Sequence, residues 1–403
     1  MASQPLTFTR PLIIILNSNS KRRVAVLLEE ESLNLKHAIL RESRNEFGQS
    51  DFSRVFLHGG QELQHGDTLP ASVGEVFVSA GEEYIPPPAD TRIIGTRSTK
   101  LDKAIEQLEY VSNLPGVRVV VGFPDLHPGV RFPIGCAVAA DHVYPALIGS
   151  DIGCGIAVYA LAPPSRGLPQ PGELANLLQG LDGPWDGNVR DWLDSHGIYR
   201  RSSFDQSCLG TIGGGNHFAD ICLGQGVVDK NSADDIGILK GALYLVGTFW
   251  GLSLIEKPNT LVVHTGSRGL GAAIQAVHIG ENFDHSLSTD SSLLNSYLED
   301  HDYAVRWAAA NRDLVAHRIM MCLFNCTDDH IELTKLLDVT HNSVTKSSVK
   351  LGHSDEAIDV WIHRKGAAPS DQGFVPCPGS RGDLTWILKP LGNGHSNRMT
   401  VVS

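Results

Sequence analysis

No stretch of the chain approaches the roughly 18 consecutive apolar residues that a membrane-crossing helix needs. The early apolar run Leu12–Leu16 is only about half of a signal-peptide core. Basic residues are in deficit: 33 Lys and Arg stand against 45 Asp and Glu, a formal charge of −12 with histidine neutral. That argues against a broadly basic, non-specific nucleic-acid binder and leaves room for a local cationic groove. Cysteine is sparse and odd in number, 7 among 403 residues. Without a secretory leader this is not a disulfide framework but a set of reduced thiols, and the expected setting is intracellular, cytoplasmic or nuclear, not secreted. No repeat with a period of roughly 20–50 residues is visible, so a solenoid is not expected.

What is present is a globular composition, with 42% hydrophobic and 19% charged residues, and a length that suggests two or three domains. Residues 1–85 differ in character from the rest. Ile13–Leu16 and Arg23–Leu28 read as strands of a hairpin around Asn17-Ser18-Asn19-Ser20. Leu33 to Asn45 has helical apolar spacing, and Val55–Leu57 and Val76–Ser79 supply further strands. Strand, strand, helix, strand, strand resembles a β-grasp, ubiquitin-like module in pattern, with docking to a protein partner as its expected role. Residues 86–89, with Pro86-Pro87-Pro88, form a stiff linker. Beyond it, residues 90–403 mix strands (Val117–Val121, Ala137–Ala140, Ile156–Leu161, Thr260–His264) with helices (Leu101–Asn113, Tyr303–Phe324) without strict alternation. The expected class is α+β.

Five segments set glycine or asparagine beside a residue able to bind metal or phosphate: Asp125-Leu126-His127-Pro128-Gly129, Asp151-Ile152-Gly153-Cys154-Gly155, Gly213-Gly214-Gly215-Asn216-His217, His264-Thr265-Gly266-Ser267-Arg268-Gly269 and His341-Asn342. Each falls at a strand end or in a loop. Taken singly, a histidine in a turn is a hydrogen-bonded structural residue and Cys154 a small buried one. Together Asp151, Cys154, His217, His264 and His341 offer one carboxylate, one thiolate and three imidazoles, a set able to hold one or two divalent transition metals. Zinc suits Cys and His; manganese or iron suits the added carboxylate. The Gly213–Asn216 loop lacks the P-loop signature yet can present backbone N–H groups to an anion. Arg268 and Arg381 can add charge-assisted contacts.

These segments, in this order, resemble the RtcB family of RNA ligases. The resemblance runs from about residue 90 to near Ser403 and is carried by the five strings above with Phe132-Pro133-Ile134-Gly135, Arg364-Lys365-Gly366-Ala367, Pro378-Gly379-Ser380 and Gly392-Asn393. It implies a GTP- and manganese-dependent enzyme that joins a 3′-phosphate or 2′,3′-cyclic phosphate RNA end to a 5′-hydroxyl end, as in tRNA splicing or the repair of broken RNA. It further implies that Cys154 bridges two manganese ions, with Asp151 and His217 completing one site and His264 and His341 the other. Asn216, His217, Phe218, Asp220, His341, Asn342, Pro378, Gly379, Ser380, Arg381 and Thr385 are implied to line the guanosine nucleotide. Asp125 is placed near the active centre and Arg268 against phosphate.

The chain departs from the family pattern in places. Asp220 stands where Glu is usual, a reach shorter by about 1.5 Å; Arg381 replaces an apolar residue and Thr385 a Ser. The His-Gly-Ala-Gly-Arg string whose histidine takes the guanylate is absent after Gly392-Asn393, and His395 stands too early to replace it. The expectation is a sequence truncated at its C-terminus or, alternatively, a non-catalytic RNA- or partner-binding homologue. A GTP-independent phosphoesterase is the reading of the Asp/Cys/His set alone. Cys322 with Cys326 and His330 reads as the packed end of a helix, Lys21-Arg22-Arg23 as a solvated strand end, and His363-Arg364-Lys365 as a candidate RNA-phosphate contact.

Overall fold

The computed structural model describes residues 9–29, 35–57, 60–67, 75–85, 90–93, 102–161, 171–223, 259–280, 282–288, 291–324, 333–350, 357–371, 373–379, 384–390 and 401–402. It divides into two compact units, one of Met1–Ala89 with Asn113–Gly116, the other of Asp90–Ser112 with Val117–Ser403.

In the first unit, β1 (Thr9–Leu16) turns through Asn17-Ser18 into antiparallel β2 (Asn19–Glu29). α1 (Leu35–Phe47), β3 (Arg54–Leu57) and β4 (Glu75–Ser79) follow. The sheet order is β2-β1-β4-β3, with β4 parallel to β1 and antiparallel to β3. Alternation supplies the core: Leu12, Ile14 and Leu16 of β1 and Val76 and Val78 of β4 point to one face, where they meet Ala38, Ile39 and Leu40 of α1.

The second unit runs β5 (Asp90–Ile93), α2 (Asp102–Ser112), β6 (Val117–His127), β7 (Ile134–Ala140), α3 (Pro145–Ile148), β8 (Gly155–Leu161), α4 (Pro171–Leu177), α5 (Val189–Ser195), α6 (Asp205–Cys208), β9 (Phe218–Leu223) and β10 (Asn259–Thr265). It continues with α7 (Gly269–Ile279), α8 (Ser292–Phe324), β11 (Leu333–Thr340), β12 (Asn342–Lys350), β13 (Ala357–Lys365), β14 (Ala367–Ala368), β15 (Val375–Cys377), β16 (Trp386–Leu388) and β17 (Val401–Val402). Two larger sheets have the orders β11-β8-β10-β9 and β12-β13-β7-β6-β5. The architecture is mixed α+β, as the sequence predicts. No helix among the described residues is long and apolar enough to cross a membrane.

The sheet of β8 and β10 is buried on both faces. Ala157, Tyr159, Leu261 and Val263 pack against Val315, Ala316, Ile319 and Met320 of α8. The opposite face, Ile156, Val158 and Val262, is covered by Phe218, Leu337 and Ile387. This two-sided burial is why β8 and β10 read as near-continuous apolar runs.

Two sequence expectations change. β6 extends through Asp125 to His127, because pairing with β7 resumes at His127↔Ile134 after an irregularity beyond Gly122. Asp125 therefore lies on the distorted end of a strand longer than the expected Val117–Val121. His363 and Arg364 are buried, at 0% and 4% exposure, and so form framework instead of an exposed RNA-phosphate contact. His363 Nε2 accepts from the Tyr144 N–H at 2.8 Å, and Nδ1 lies 3.2 Å from the Val138 carbonyl, to which it donates. Cys326 and His330 lie outside the described residues; Cys322 ends α8 half-buried, with a free thiol.

Burial, working against the Val138 carbonyl, pushes the His363 imidazole down from 6.5 to about 4. The unfolded chain therefore takes up this proton before the folded chain does, and stability falls as pH drops through that window. The expected contribution is up to about 3 kcal/mol by pH 4. Urea midpoints measured from pH 7 to pH 4 check it: His363→Gln should flatten the acid limb, and an unchanged limb would refute the assignment.

Candidate metal centre

The antiparallel pairing of β8 with both β10 and β11, and of β10 with β9, puts four strand ends at one edge of the sheet. Gly155, beginning β8, pairs with Thr265 at the end of β10 and with Thr340 at the end of β11; His264 pairs with Phe218 at the start of β9. Residues just outside these ends must converge. Cys154 precedes β8, His217 precedes β9, His264 is the second-to-last residue of β10, and His341 follows β11.

The donor atoms meet as this register requires. Cys154 Sγ lies 3.4 Å from His217 Nε2 and 3.3 Å from His264 Nε2. His264 Nε2 is 3.1 Å from His341 Nε2, and His217 Nε2 is 2.7 Å from Asp151 Oδ2. Two donor groups result, Cys154-His264-His341 and Asp151-Cys154-His217, and in each the ligand atoms lie within 4.8 Å of one another. Cys154 belongs to both.

The ring nitrogens facing away from the cluster are held by backbone. The Ile212 carbonyl accepts from His217 Nδ1 at 3.0 Å, and the Asn216 carbonyl accepts from His264. Such contacts fix the tautomer and leave Nε2 as the ligating atom. The loop before β8 is locked to His341: the His341 and Asn342 N–H groups donate to the Cys154 carbonyl at 2.9 and 3.2 Å, and Gly153 N–H donates to the Asn342 carbonyl at 2.8 Å.

Electrostatics prepares the donors. Burial pushes His264 down to about 3 and His341 well below its ordinary range, so both rings are neutral with a lone pair available. Burial first, then the Asp151 charge, pushes the Cys154 thiol well up, against the opposing charge of Arg312. A thiol so disfavoured as an anion loses its proton to a cation that replaces it. Burial also raises Asp151, but the His217 hydrogen bond and charge and the Arg268 N–H outweigh it and hold the carboxyl below its usual range. Three imidazoles, those of His264 and His341 held neutral, a carboxylate and a buried sulfur between them fit one or two transition-metal dications.

Arg268 stands beside this cluster. It is the one described non-glycine residue at positive φ, 58°. Its N–H donates to Asp151 Oδ1 at 3.0 Å, and its Nε is buried without a hydrogen-bond partner among the described residues. A Cβ at Gly213 would lie 1.8 Å from Arg268 NH1, and Gly213 has φ +95°. The Gly-rich loop is thus shaped to admit a guanidinium in a strained backbone.

The remaining predicted residues spread outward. Asn216 and Asp220 are exposed. Phe218 stacks edge-on to His264 with centroids 5.3 Å apart. The Thr385 hydroxyl contacts Cys222, two residues beyond Asp220 on β9, so the β15–β16 hairpin approaches the same strand. Pro378 and Gly379 lie in that hairpin, with Gly379 N–H donating to the Leu384 carbonyl at 2.9 Å. Ser380, Arg381 and His395 lie outside the described residues. Asp125 is in neither donor group; its Oδ1 is buried without a partner among the described residues, and burial, against the pull of His127, pushes its carboxyl up to about 6.

Sequence reasoning missed Asn311 and Arg312, which contact the loops bearing these ligands. The available signal was a charged residue at a core position: Ala308, Asn311, Arg312, Val315, Ala316 and Ile319 share the buried stripe of α8.

The profile of the family described as tRNA-splicing ligase RtcB matches residues 107–182 and 186–403. RNA-splicing ligase RtcB2 of Escherichia coli is 37% identical over 297 residues, 72% of this chain and 69% of that protein. RNA-splicing ligase RtcB of Escherichia coli K12 is 26% identical over 344 residues, 73% and 75% of the two chains. tRNA-splicing ligase RtcB of Pyrobaculum aerophilum is 24% identical over 379 residues, 75% of each.

Proposed function

The chain belongs to the RtcB family of tRNA-splicing ligases, and from that membership we propose that it is an RNA ligase using GTP and manganese to join 3′-phosphate or 2′,3′-cyclic phosphate ends to 5′-hydroxyl ends. The observation that carries the reading is the single sulfur of Cys154, common to two donor groups. Asp151 and His217 would complete one cation site with it, and His264 and His341 the other. When bound, a pair of such cations polarises phosphoryl oxygens and offsets charge during displacement.

The chain's own residues supply the rest. Arg268, with a buried unpaired Nε and its NH1 3.4 Å from His217 Nδ1, would orient a phosphate. Asn216, Phe218, Asp220, Pro378, Gly379 and Thr385 would line the guanosine nucleotide along β9 and the β15–β16 hairpin, and the family resemblance adds Asn342, Ser380 and Arg381. Asp125, pushed up to about 6, would hold or release a proton near neutral pH, as acid–base work requires.

The first unit would be a β-grasp module that docks a protein partner. Its support is the β2-β1-β4-β3 order, the parallel β1–β4 pair and α1 against one face. The cysteines among the described residues are free, in keeping with a reducing intracellular setting, cytoplasmic or nuclear.

The test is joining of a 3′-phosphate RNA, tRNA halves included, to a 5′-hydroxyl RNA with GTP and manganese. A joined product, and none without either cofactor, is the outcome that the ligase reading requires. RNA binding without joining would leave only the binding homologue, and phosphate release without GTP would leave the phosphoesterase.

A further inference from the structure

Two adjacent side chains on α8 touch every segment that bears a candidate ligand. Asn311 and Arg312 are 0% and 1% exposed. Asn311 Oδ1 accepts from Gly210 N–H at 2.7 Å; Nδ2 donates towards the Thr211 carbonyl at 3.3 Å, Thr265 Oγ1 at 3.4 Å and the Gly266 carbonyl at 3.2 Å. Arg312 NH1 donates to the Gly153 carbonyl at 2.9 Å and the Thr265 carbonyl at 3.0 Å. Its Nε and NH2 both meet Asp338 Oδ1 at 2.7 Å. The loops leading to Cys154, His217, His264 and His341 are therefore tied to neighbouring residues of one helix.

We propose that Asn311 and Arg312 are positioning residues that set the spacing of the ligand-bearing loops for divalent-cation binding, a role that rests on the metal-site reading above. The chemistry demands both residue types. A guanidinium presents donors in a fixed planar fork, so one side chain spans two carbonyls and a carboxylate in set directions; an ammonium is a point donor and cannot. The amide of Asn311 donates and accepts together, which neither Asp nor Leu of similar size can do. Asp338, with a side chain 16% exposed, balances the buried charge, and its place just before Thr340 carries the tie to His341.

Arg312→Lys keeps the charge and loses the fork. The expected result is a manganese dissociation constant raised roughly 10–100-fold, measured by equilibrium dialysis on folded protein well below its unfolding temperature. A merely structural role would lower the melting temperature and leave that constant unchanged, and this outcome overturns the proposal. Should Arg312→Lys fail to fold, Asp338→Asn carries the same test: about tenfold weaker binding is expected, and unchanged binding again overturns it. If the unaltered protein binds no manganese, the metal-site reading has failed instead, and the two failures are distinguishable.

Discussion

Cys154→Ala is expected to empty both proposed cation sites in one step. Each donor group holds three ligands and shares this sulfur, so its loss leaves Asp151 with His217 on one side and His264 with His341 on the other. Two-ligand remnants do not hold a dication against water, because affinity depends on closing the ligand count. Manganese retained after desalting should fall from two equivalents towards none, and RNA joining should fall below detection. His341→Ala, by contrast, touches one donor group and should spare the Asp151-Cys154-His217 site. The fold should survive: the Cys154 side chain is small, and its truncation is worth about 1–2 kcal/mol. Metal analysis together with thermal unfolding separates these effects. Full metal content in Cys154→Ala would show that the sulfur is a packing residue.

The ligands were legible because their chemistry is rare and their position is set by topology. Asp151, Cys154, His217, His264 and His341 sit in segments with glycine or asparagine at the ends of apolar runs, and antiparallel pairing leaves such ends no place but a common edge. The framework was legible where an apolar run or helical spacing is clean, as in β1 and α2. The end of β6 was set too early because a bulged strand carries turn residues, Gly122 and Pro124, that read as a break. The charge in His363-Arg364 suggested a surface, but that inference fails where the Tyr144 N–H and the Val138 carbonyl satisfy a buried imidazole and the Thr345 hydroxyl accepts from Arg364. Asn311 and Arg312 escaped notice because their partners are backbone groups, a hydroxyl and a carboxylate distant in the chain, which no local pattern records.

Gly153→Ala is expected to destabilise the fold strongly. Gly153 has φ +79°, and an added Cβ would lie 2.8 Å from Val305 Cα and 2.9 Å from Ala308 Cβ. The left-handed backbone alone disfavours alanine by roughly 1–2 kcal/mol, and overpacking against helix backbone adds about 1–3 kcal/mol. Neither side can yield cheaply. Gly153 N–H is held by Asn342 and its carbonyl by Arg312, while Ala304 and Ala308 are fully buried in α8. Denaturant unfolding of the metal-free protein should show a loss of about 3 kcal/mol or more. Gly214→Ala is the control: Gly214 is exposed, and nothing lies within 4 Å of its added Cβ, so its effect should stay within about 0.5 kcal/mol. Equal stabilities for the two variants would mean that α8 does not press on the Cys154 loop. The small residues of that loop would then serve the bound ions and not the helix beneath them.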